Sequence, residues 1–291
     1  MKVLITGSHG FVGSNLIEAL SDEHEFIRWD ARADEQLPAC DAVIHLTGKA
    51  HDTKISDVGG LKAEEYFYVN TELTKKIYDA FLKSEAKKFI FFSSIKAKDN
   101  DTVYARSKRL AEEYIQKKFR DESLEFRDKR VYILRPCMIH GKGVKGNLPL
   151  LFKFVKKGWP WPLAAFENQR SYASMGNVSF VVSKLLNKDV ESGIYNLCDD
   201  EPVSTNDLIR LMSDSLCHKA KMVNIPKEIV RICAKIGDVL SIPLNTERLG
   251  KLTGNNVIDN SDIKKALGLN HMPIKAMDGL KCTIEELIKK G

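Results

Sequence analysis

Residues 2–20 constrain the fold of this chain more than any other stretch. Lys2-Val-Leu-Ile-Thr6 is a short β-branched run and predicts a buried strand. Glycines follow at once at positions 7, 10 and 13, and Ser14 to Leu20 spaces its apolar residues as a helix does. Gly7 permits a sharp turn, Gly10 lets backbone approach a pyrophosphate, and Gly13 lets the helix pack on the strand. The helix start, with Phe11 and Val12, then presents unpaired N–H groups to phosphate. In this strand–turn–helix setting the glycines predict dinucleotide binding, with GxxGxxG spacing rather than GxGxxG.

The strand–helix alternation continues. Glu25 to Asp30 predicts the second strand, ending in Asp30, about 20 residues after the glycine turn, where a carboxylate accepts from both ribose hydroxyls of NAD. That charge repels a 2′-phosphate, but Arg32 could bind one instead, so NAD is favoured and NADP stays open. Ala42 to Leu46 is the next strand. The interval 31–41 is too short for a crossover with its own helix, so the sheet is expected to be trimmed on that edge. Leu46, Thr47 and Gly48 end the strand where the cofactor's phosphates or ribose would pass. A loop with His51, Asp52 and Gly59-Gly60 is expected near the substrate. Glu64 to Lys83 is helical, and Asn70 inside it is a poor mid-helix residue that calls for a polar partner.

The chemistry is expected from Phe89 to Lys108. Phe89-Ile-Phe-Phe92 is a buried strand, and two hydroxyls, Ser93 and Ser94, stand at its end. Tyr104 and Lys108 are four apart at the head of a helix and share one face. An ammonium near a phenol favours the phenolate and lowers its pKa. With a Ser hydroxyl on the same substrate oxygen, this makes a proton donor and acceptor suited to hydride transfer. The plainer reading is an amphipathic helix start with a surface Tyr and Lys.

Val131 to Leu134 and Gly193 to Leu197 are further strands, Val178 to Leu186 is a helix, and Ser204 caps another. The expected fold is α/β: a Rossmann-type doubly wound parallel sheet with a smaller interleaved α/β substrate lobe. The nucleotide domain takes residues 1–140 plus 178–197, and the substrate lobe 141–177 plus 198–291. Gly158-Trp-Pro-Trp-Pro162 is a rigid turn whose Trp159 and Trp161 either cover a ligand ring or pack.

Composition narrows the partners. The net charge is +6 with lysines scattered, which speaks against nucleic acid and suits an anionic small substrate. Six cysteines are widely spaced, with no CxxC pair and no cluster with His, so no metal site is expected and the thiols are read as reduced. No apolar run approaches the ~20 residues of a membrane span. Met1-Lys2 leads straight into a strand, and the expectation is a cytoplasmic protein without membrane contact.

Gly7, Gly10, Gly13, Asp30, Ser94, Tyr104 and Lys108, in this order, resemble an extended short-chain dehydrogenase/reductase. More narrowly, the chain resembles the NAD-dependent epimerase/dehydratase family, which works on nucleotide-linked sugars. "SSIK" at 93–96, "LRP" at 134–136, "GVKGN" at 143–147 and "NQRS" at 168–171 resemble a bacterial subgroup of UDP-hexose 4-epimerase-like proteins and UDP-N-acetyl-6-deoxyhexose 4-keto reductases. The resemblance implies Tyr104 as acid/base, Lys108 lowering its pKa and holding the nicotinamide ribose, and Ser94 orienting the sugar oxygen, with Ser93 in that role if the register shifts by one. It implies Asn147 on the nucleotide-sugar, Arg170 with Arg248 on the diphosphate, and a homodimer through the helices at 64–83 and 104–118. Family members that dehydrate carry an Asp-Glu pair where Lys96-Ala97 stands here, so dehydration is disfavoured. The usual Arg-Asp-Tyr reads Arg170-Ser171-Tyr172, and the customary Asp a few residues on is replaced around Gly176-Asn177. The reading is an NAD(P)-dependent enzyme acting at C4 of a UDP-sugar, as a 4-epimerase or alternatively a 4-keto reductase in surface-polysaccharide synthesis. A non-catalytic dinucleotide sensor is the rival of another class.

Overall fold

A computed structural model of the chain describes residues 1–32, 36–50, 61–99, 102–121, 128–240 and 245–290. In chain order the first elements are β1 (Lys2–Thr6), α1 (Phe11–Leu20), β2 (Glu25–Arg28), β3 (Ala42–His45) and α2 (Leu61–Phe67). A π-helical turn (Tyr68–Glu72) joins α2 to α3 (Leu73–Leu82). Then come β4 (Lys88–Phe92), α4 (Lys96–Asp99), α5 (Val103–Asp121), β5 (Arg130–Pro136), β6 (Met138–His140), α6 (Asn147–Lys156), β7 (Tyr172–Ser174), α7 (Met175–Asn187) and β8 (Gly193–Leu197). The chain ends with α8 (Thr205–Ser215), α9 (Lys227–Leu240), α10 (Thr246–Thr253), α11 (Ser261–Leu267) and α12 (Ala276–Lys289).

Two compact units result, each built from separate stretches. The first holds Met1–Cys137, Val178–Leu197 and Asn260–Asn270; the second holds Met138–Asn177, Cys198–Asp259 and His271–Gly291. Residues 260–270, which sequence alone places with the smaller lobe, cluster with the first unit because α11 packs on β8 and buries Ile263 and Leu267.

The first unit is a six-stranded sheet in the order β2-β1-β3-β4-β5-β8, parallel at every pairing. Its central strands are apolar on both faces: Val3, Leu4, Ile5, Val43, Ile44, Phe89, Ile90 and Phe91 are all fully buried. Continuous apolar runs of this kind belong to parallel sheets covered by helices on both sides. On one face Ile77, Tyr78 and Phe81 of α3 join Ala111 and Ile115 of α5 over Phe89 and Phe91. The Phe89 ring lies 5.1 Å from those of Tyr78 and Phe81. The Lys88 ammonium donates to the carbonyls of Leu185, Leu186 and Lys188 at 2.9, 2.6 and 2.7 Å. It thereby satisfies the last turn of α7, where a cation also complements the helix dipole. β2 is the sheet edge, in line with a short 31–41 connection. Strand order reverses at β1, which places a crevice at the carboxyl ends of β1 and β3.

The second unit carries the parallel pair β6–β7 and the helices around it. Its polar centre is Asp199, fully buried, which accepts from the Ser174 N–H, the Ser174 hydroxyl and the Asn177 amide at 3.0, 2.9 and 2.7 Å. Ser204 caps α8 as expected, its hydroxyl accepting from the Asp207 N–H at 2.9 Å. The aromatic turn divides its two rings. Trp161 is buried and donates its indole N–H to Asn206 at 2.9 Å, so it packs, whereas Trp159 is 55% exposed. Among the described residues no helix is long and apolar enough to cross a membrane.

Candidate active site

The site is built at the carboxyl ends of β1, β3 and β4. Gly7 ends β1 with φ of +66°, and the Gly10 N–H returns to its carbonyl at 3.0 Å. A Cβ on Gly13 would lie 2.4 Å from that same carbonyl oxygen, so any larger residue would push α1 off the strand. Gly10 stands at the N-cap of α1 without a side-chain cap, and no acid occupies the first turn. The N–H groups of Phe11, Val12 and Gly13 therefore precede the first intrahelical partner, which Ser14 finds on Gly10 at 3.0 Å. Such an end attracts phosphate.

Asp30 lies just past β2 and is exposed. Arg32 grips both of its oxygens through Nε and Nη2, at 2.9 and 2.8 Å. The paired guanidinium holds the Asp30 carboxyl below its ordinary range. Carboxylate and guanidinium thus occupy one place, and the two ribose-end alternatives of the sequence are neighbours.

Beneath the β3 end, the Thr6 hydroxyl accepts from the N–H groups of Leu46 and Thr47 at 3.1 and 3.2 Å and faces His45 Nδ1 at 2.7 Å. His45 Nε2 lies 2.9 Å from the Thr74 hydroxyl. Full burial, with the charge of Lys108 nearby, drives the His45 pKa down to about 3, so the ring is neutral at ordinary pH. Gly48 follows: a Cβ there would meet Lys108 Nζ at 3.0 Å and Asn70 Oδ1 at 3.1 Å. Backbone, amide and ammonium converge at this point because position 48 has no side chain.

Asn70 sits in the π-helical turn and is fully buried. Its Oδ1 accepts from the Lys49 N–H at 2.8 Å, and its Nδ2 donates to the Lys49 carbonyl at 3.1 Å and the Ser107 hydroxyl at 2.9 Å. The polar partner that the sequence called for is therefore the 46–49 loop together with α5. Inserted π turns of this kind recur at functional sites.

At the β4 end, the Ser94 hydroxyl faces the Tyr104 phenol and acts to lower its pKa. Ser93 is 5% exposed, and among the described residues its hydroxyl has no hydrogen-bond partner. A buried hydroxyl left open is costly unless it serves a ligand. Lys108, fully inside, donates from Nζ to the Phe92 carbonyl at 2.8 Å and lies 4.7 Å over the Phe91 ring. Burial lowers its pKa to about 8, against a raising pull from Glu112.

The phenol departs from expectation. Sequence reasoning has Lys108 lowering the Tyr104 pKa, yet in this structure the phenol stands above its ordinary value. Burial raises it, and the Ser94 hydroxyl offsets that in part. The Lys108 ammonium is directed to the Phe92 carbonyl, which is why its charge does not dominate at the phenol. Two neighbours of Tyr104 escaped the sequence reading. Lys96 Nζ lies 5.9 Å over the phenol ring, and the Tyr66 ring meets it edge-on at 6.4 Å. Lys96 was legible as a substitution of the family's acid-base pair. Tyr66 carried no local signal, since its contact depends on how α2 meets α5.

Asn147, Arg170 and Arg248 all lie in the second unit. Asn147 is the exposed first residue of α6. Arg170 bridges Val203 through its backbone, and its Nη1 donates to the Lys251 carbonyl at 2.5 Å. Arg248 is exposed on α10, the helix that also carries Lys251. The expected loop with His51, Asp52 and Gly59-Gly60 lies outside the described residues. Among those described, no group of His, Cys, Asp and Glu could hold a metal ion.

Comparison with known proteins places this geometry. Residues 3–198 match the model of the NAD dependent epimerase/dehydratase family. A UDP-glucose 4-epimerase of Vibrio cholerae is 27% identical, over 99% of this chain and 96% of its own. An Escherichia coli O157:H7 N-acetyl-alpha-D-glucosaminyl-diphospho-ditrans,octacis-undecaprenol 4-epimerase is 27% identical, over 82% of this chain and 80% of its own. In fold, the chain is similar to UDP-glucuronic acid 4-epimerase from Bacillus cereus in complex with NAD, with a TM-score of 0.75 over 100% of this chain and 99% of that one, at 16% identity.

Proposed function

The chain belongs to the NAD dependent epimerase/dehydratase family, and from that premise we propose that it is an NAD-dependent 4-epimerase of a UDP-sugar. The observation that carries the reading is the Ser94 hydroxyl beside the Tyr104 phenol at the end of β4, with Lys108 one helical turn beyond the phenol. The first unit, led by Met1–Cys137, is the nucleotide domain in this reading, and the second is the substrate lobe.

The residues suit a dinucleotide. Gly7, Gly10 and Gly13 clear the approach to α1, the N–H groups of Phe11 and Val12 face phosphate, and Asp30 serves the adenine ribose. Leu46, Thr47, Gly48, Asn70 and the open Ser93 hydroxyl line the inner half. A bound nicotinamide supplies reversible hydride acceptance and return. Tyr104 takes the proton of the C4 hydroxyl at its phenolic oxygen and later gives it back, while Ser94 orients the same oxygen. Lys108 holds positive charge where the phenolate would form. Burial raises the Tyr104 pKa, and the protonated phenol this favours suits return of the proton to a C4 ketone. Lys96 occupies the place of the second acid and base, so elimination of water lacks its catalysts. In the substrate lobe Asn147 is assigned to the nucleotide-sugar and Arg170 with Arg248 to the diphosphate, which guanidinium forks match.

Two incubations test the reading, with sugar products followed by NMR and reduced nicotinamide by absorbance. One holds UDP-glucose or UDP-N-acetylglucosamine without added cofactor. The other holds a UDP-4-keto-6-deoxy sugar with NADH or NADPH. C4 inversion in the first is the expected result. Stoichiometric loss of reduced cofactor in the second, with none in the first, replaces the epimerase by the 4-keto reductase. Tyr104→Phe is expected to abolish turnover and keep cofactor binding; a dinucleotide sensor would show no turnover in either tube. The E. coli relative's name points to the same inversion on a sugar joined by a diphosphate to a polyprenol, so that conjugate is the next substrate to try. The reading also includes a cytoplasmic homodimer through the helices at 64–83 and 104–118, where Tyr68 and Leu110 are exposed, and light scattering on the eluting protein tests the dimer.

A further inference from the structure

The helix that carries the phenol also carries a buried acid one turn beyond Lys108. Glu112 follows Lys108 on α5 as Lys108 follows Tyr104, so the three share one side of the helix. The Glu112 side chain is 1% exposed. Arg135, near the end of β5, grips both of its oxygens. Nε lies 3.0 Å from Oε1 and 3.1 Å from Oε2, and Nη2 also donates to Oε2. β5 pairs with β4 so that Leu134 stands opposite Phe92, whose carbonyl receives the Lys108 ammonium. The arginine that holds the acid therefore sits one residue past the partner of the strand end that holds the lysine.

Stability does not account for this pair. Taking a carboxylate and a guanidinium out of water costs about as much as their attraction returns, and apolar side chains of similar volume would pack as well. What the carboxylate supplies is a negative charge next to a buried ammonium. The other titratable and charged groups at this place are neutral or positive. His45 of β3 is uncharged, and the Tyr104 phenol stands above its ordinary pKa and keeps its proton. Lys96 of α4 is a cation over the phenol ring, and Arg135 of β5 is another. Burial drives Lys108 toward the neutral amine, and Glu112 is the charge that opposes it. The bidentate fork of Arg135 fixes where that charge sits.

We propose that Glu112, fixed by Arg135, is a positioning residue that keeps the Lys108 ammonium charged beside Tyr104. It acts through the lysine rather than on the sugar or the cofactor. The inference rests on the role of Lys108 in the proposed reaction, but the charge of Lys108 can be read without turnover, so the two fail separately. Its sign distinguishes it from a role in packing. Loss of the counter-charge favours the amine and moves the Lys108 titration down. A pair that only fastened α5 to β5 would, when broken, admit water to Lys108 and move the titration up, toward the ordinary lysine value.

The full chain is isotope-labelled at lysine Cε, and the Lys108 signal is identified as the one missing from Lys108→Arg. Its titration is followed by NMR in the unaltered chain, in Glu112→Gln, and in Glu112→Gln with Arg135→Gln. The double variant leaves no unpaired charge in the pair, so it carries the test should Glu112→Gln alone fail to fold, which circular dichroism shows. The midpoint is expected at about 8 in the unaltered chain. It should fall by about one pH unit in Glu112→Gln, and by less in the double variant, where Arg135 no longer adds its repulsion. The alkaline limb of kcat/KM, on the sugar that the unaltered enzyme inverts, should move down with it. A midpoint that stays in place or rises in the folded variants overturns the inference. So does a lowered midpoint with an unmoved limb in an enzyme that turns over. If no sugar is inverted, the epimerase reading fails, and the midpoint still decides whether Glu112 sets the charge of Lys108.

Discussion

Burial of the Lys108 ammonium at the end of β4 makes its charge easier to lose as pH rises. Its pKa stands at about 8, so the free enzyme loses this cation above that pH. We predict that kcat/KM falls as pH rises through about 8, and that Lys108→Arg, which stays charged, moves that limb upward. A pH profile under subsaturating substrate measures it. His45 governs the acid side of stability. Its folded pKa of about 3 lies below the unfolded 6.5, so the unfolded chain binds the extra proton between those values. This contribution to stability is complete above pH 6.5 and is lost as pH falls toward 3. At pH 4.5 it amounts to a loss of roughly 2 to 3 kcal/mol. His45→Asn should remove that part of the acid sensitivity, read as the difference between urea midpoints at pH 7 and pH 4.5.

At the scale of elements, the helix 61–82 is shaped by its π turn. A regular α-helix would place Asn70 elsewhere relative to the 46–49 loop, and the extra residue per turn brings its amide to both Lys49 and Ser107. Ser107 in turn donates to the Tyr104 carbonyl at 2.9 Å, so the amide is tied to the first turn of α5 that carries the phenol. Asn70→Ala removes the side-chain acceptor of the half-buried Lys49 N–H. We expect a loss of about 1 to 3 kcal/mol in chemical denaturation, and lower kcat with the cofactor affinity also reduced.

At the scale of the whole molecule, neither unit is one continuous stretch. The sheet is completed by β8, which returns after a long excursion to pair with β5 in register from Tyr132–Gly193 to Pro136–Leu197. Val178, Val181, Val182 and Leu185 of α7 are fully buried. A chain ended after residue 137 would lack both, with a bare β5 edge and the Lys88 ammonium without its carbonyls. We predict that this fragment binds a hydrophobic dye and aggregates, whereas the full chain unfolds cooperatively. Dye fluorescence and light scattering on the two proteins decide it.

The glycine turn, the apolar strands and the order of Ser94, Tyr104 and Lys108 were legible in the sequence because each depends on local rules. A turn at φ of +66° needs Gly7, a helix start where a Cβ would lie 2.4 Å from the Gly7 carbonyl oxygen needs Gly13, and alternating runs of β-branched and helical spacing announce a parallel sheet. Tertiary structure alone decided where charge and burial meet. It turned Lys108 toward the Phe92 carbonyl and raised the Tyr104 pKa where spacing predicted a fall. It set Arg32 on Asp30, buried Trp161 while leaving Trp159 outside, and drew residues 260–270 to the first unit. It also left Ile229, Ile232 and Ile236 of α9 uncovered, which periodicity cannot distinguish from a buried face. Spacing tells which residues share a side of an element, but desolvation and pairing depend on what the rest of the chain brings against that side.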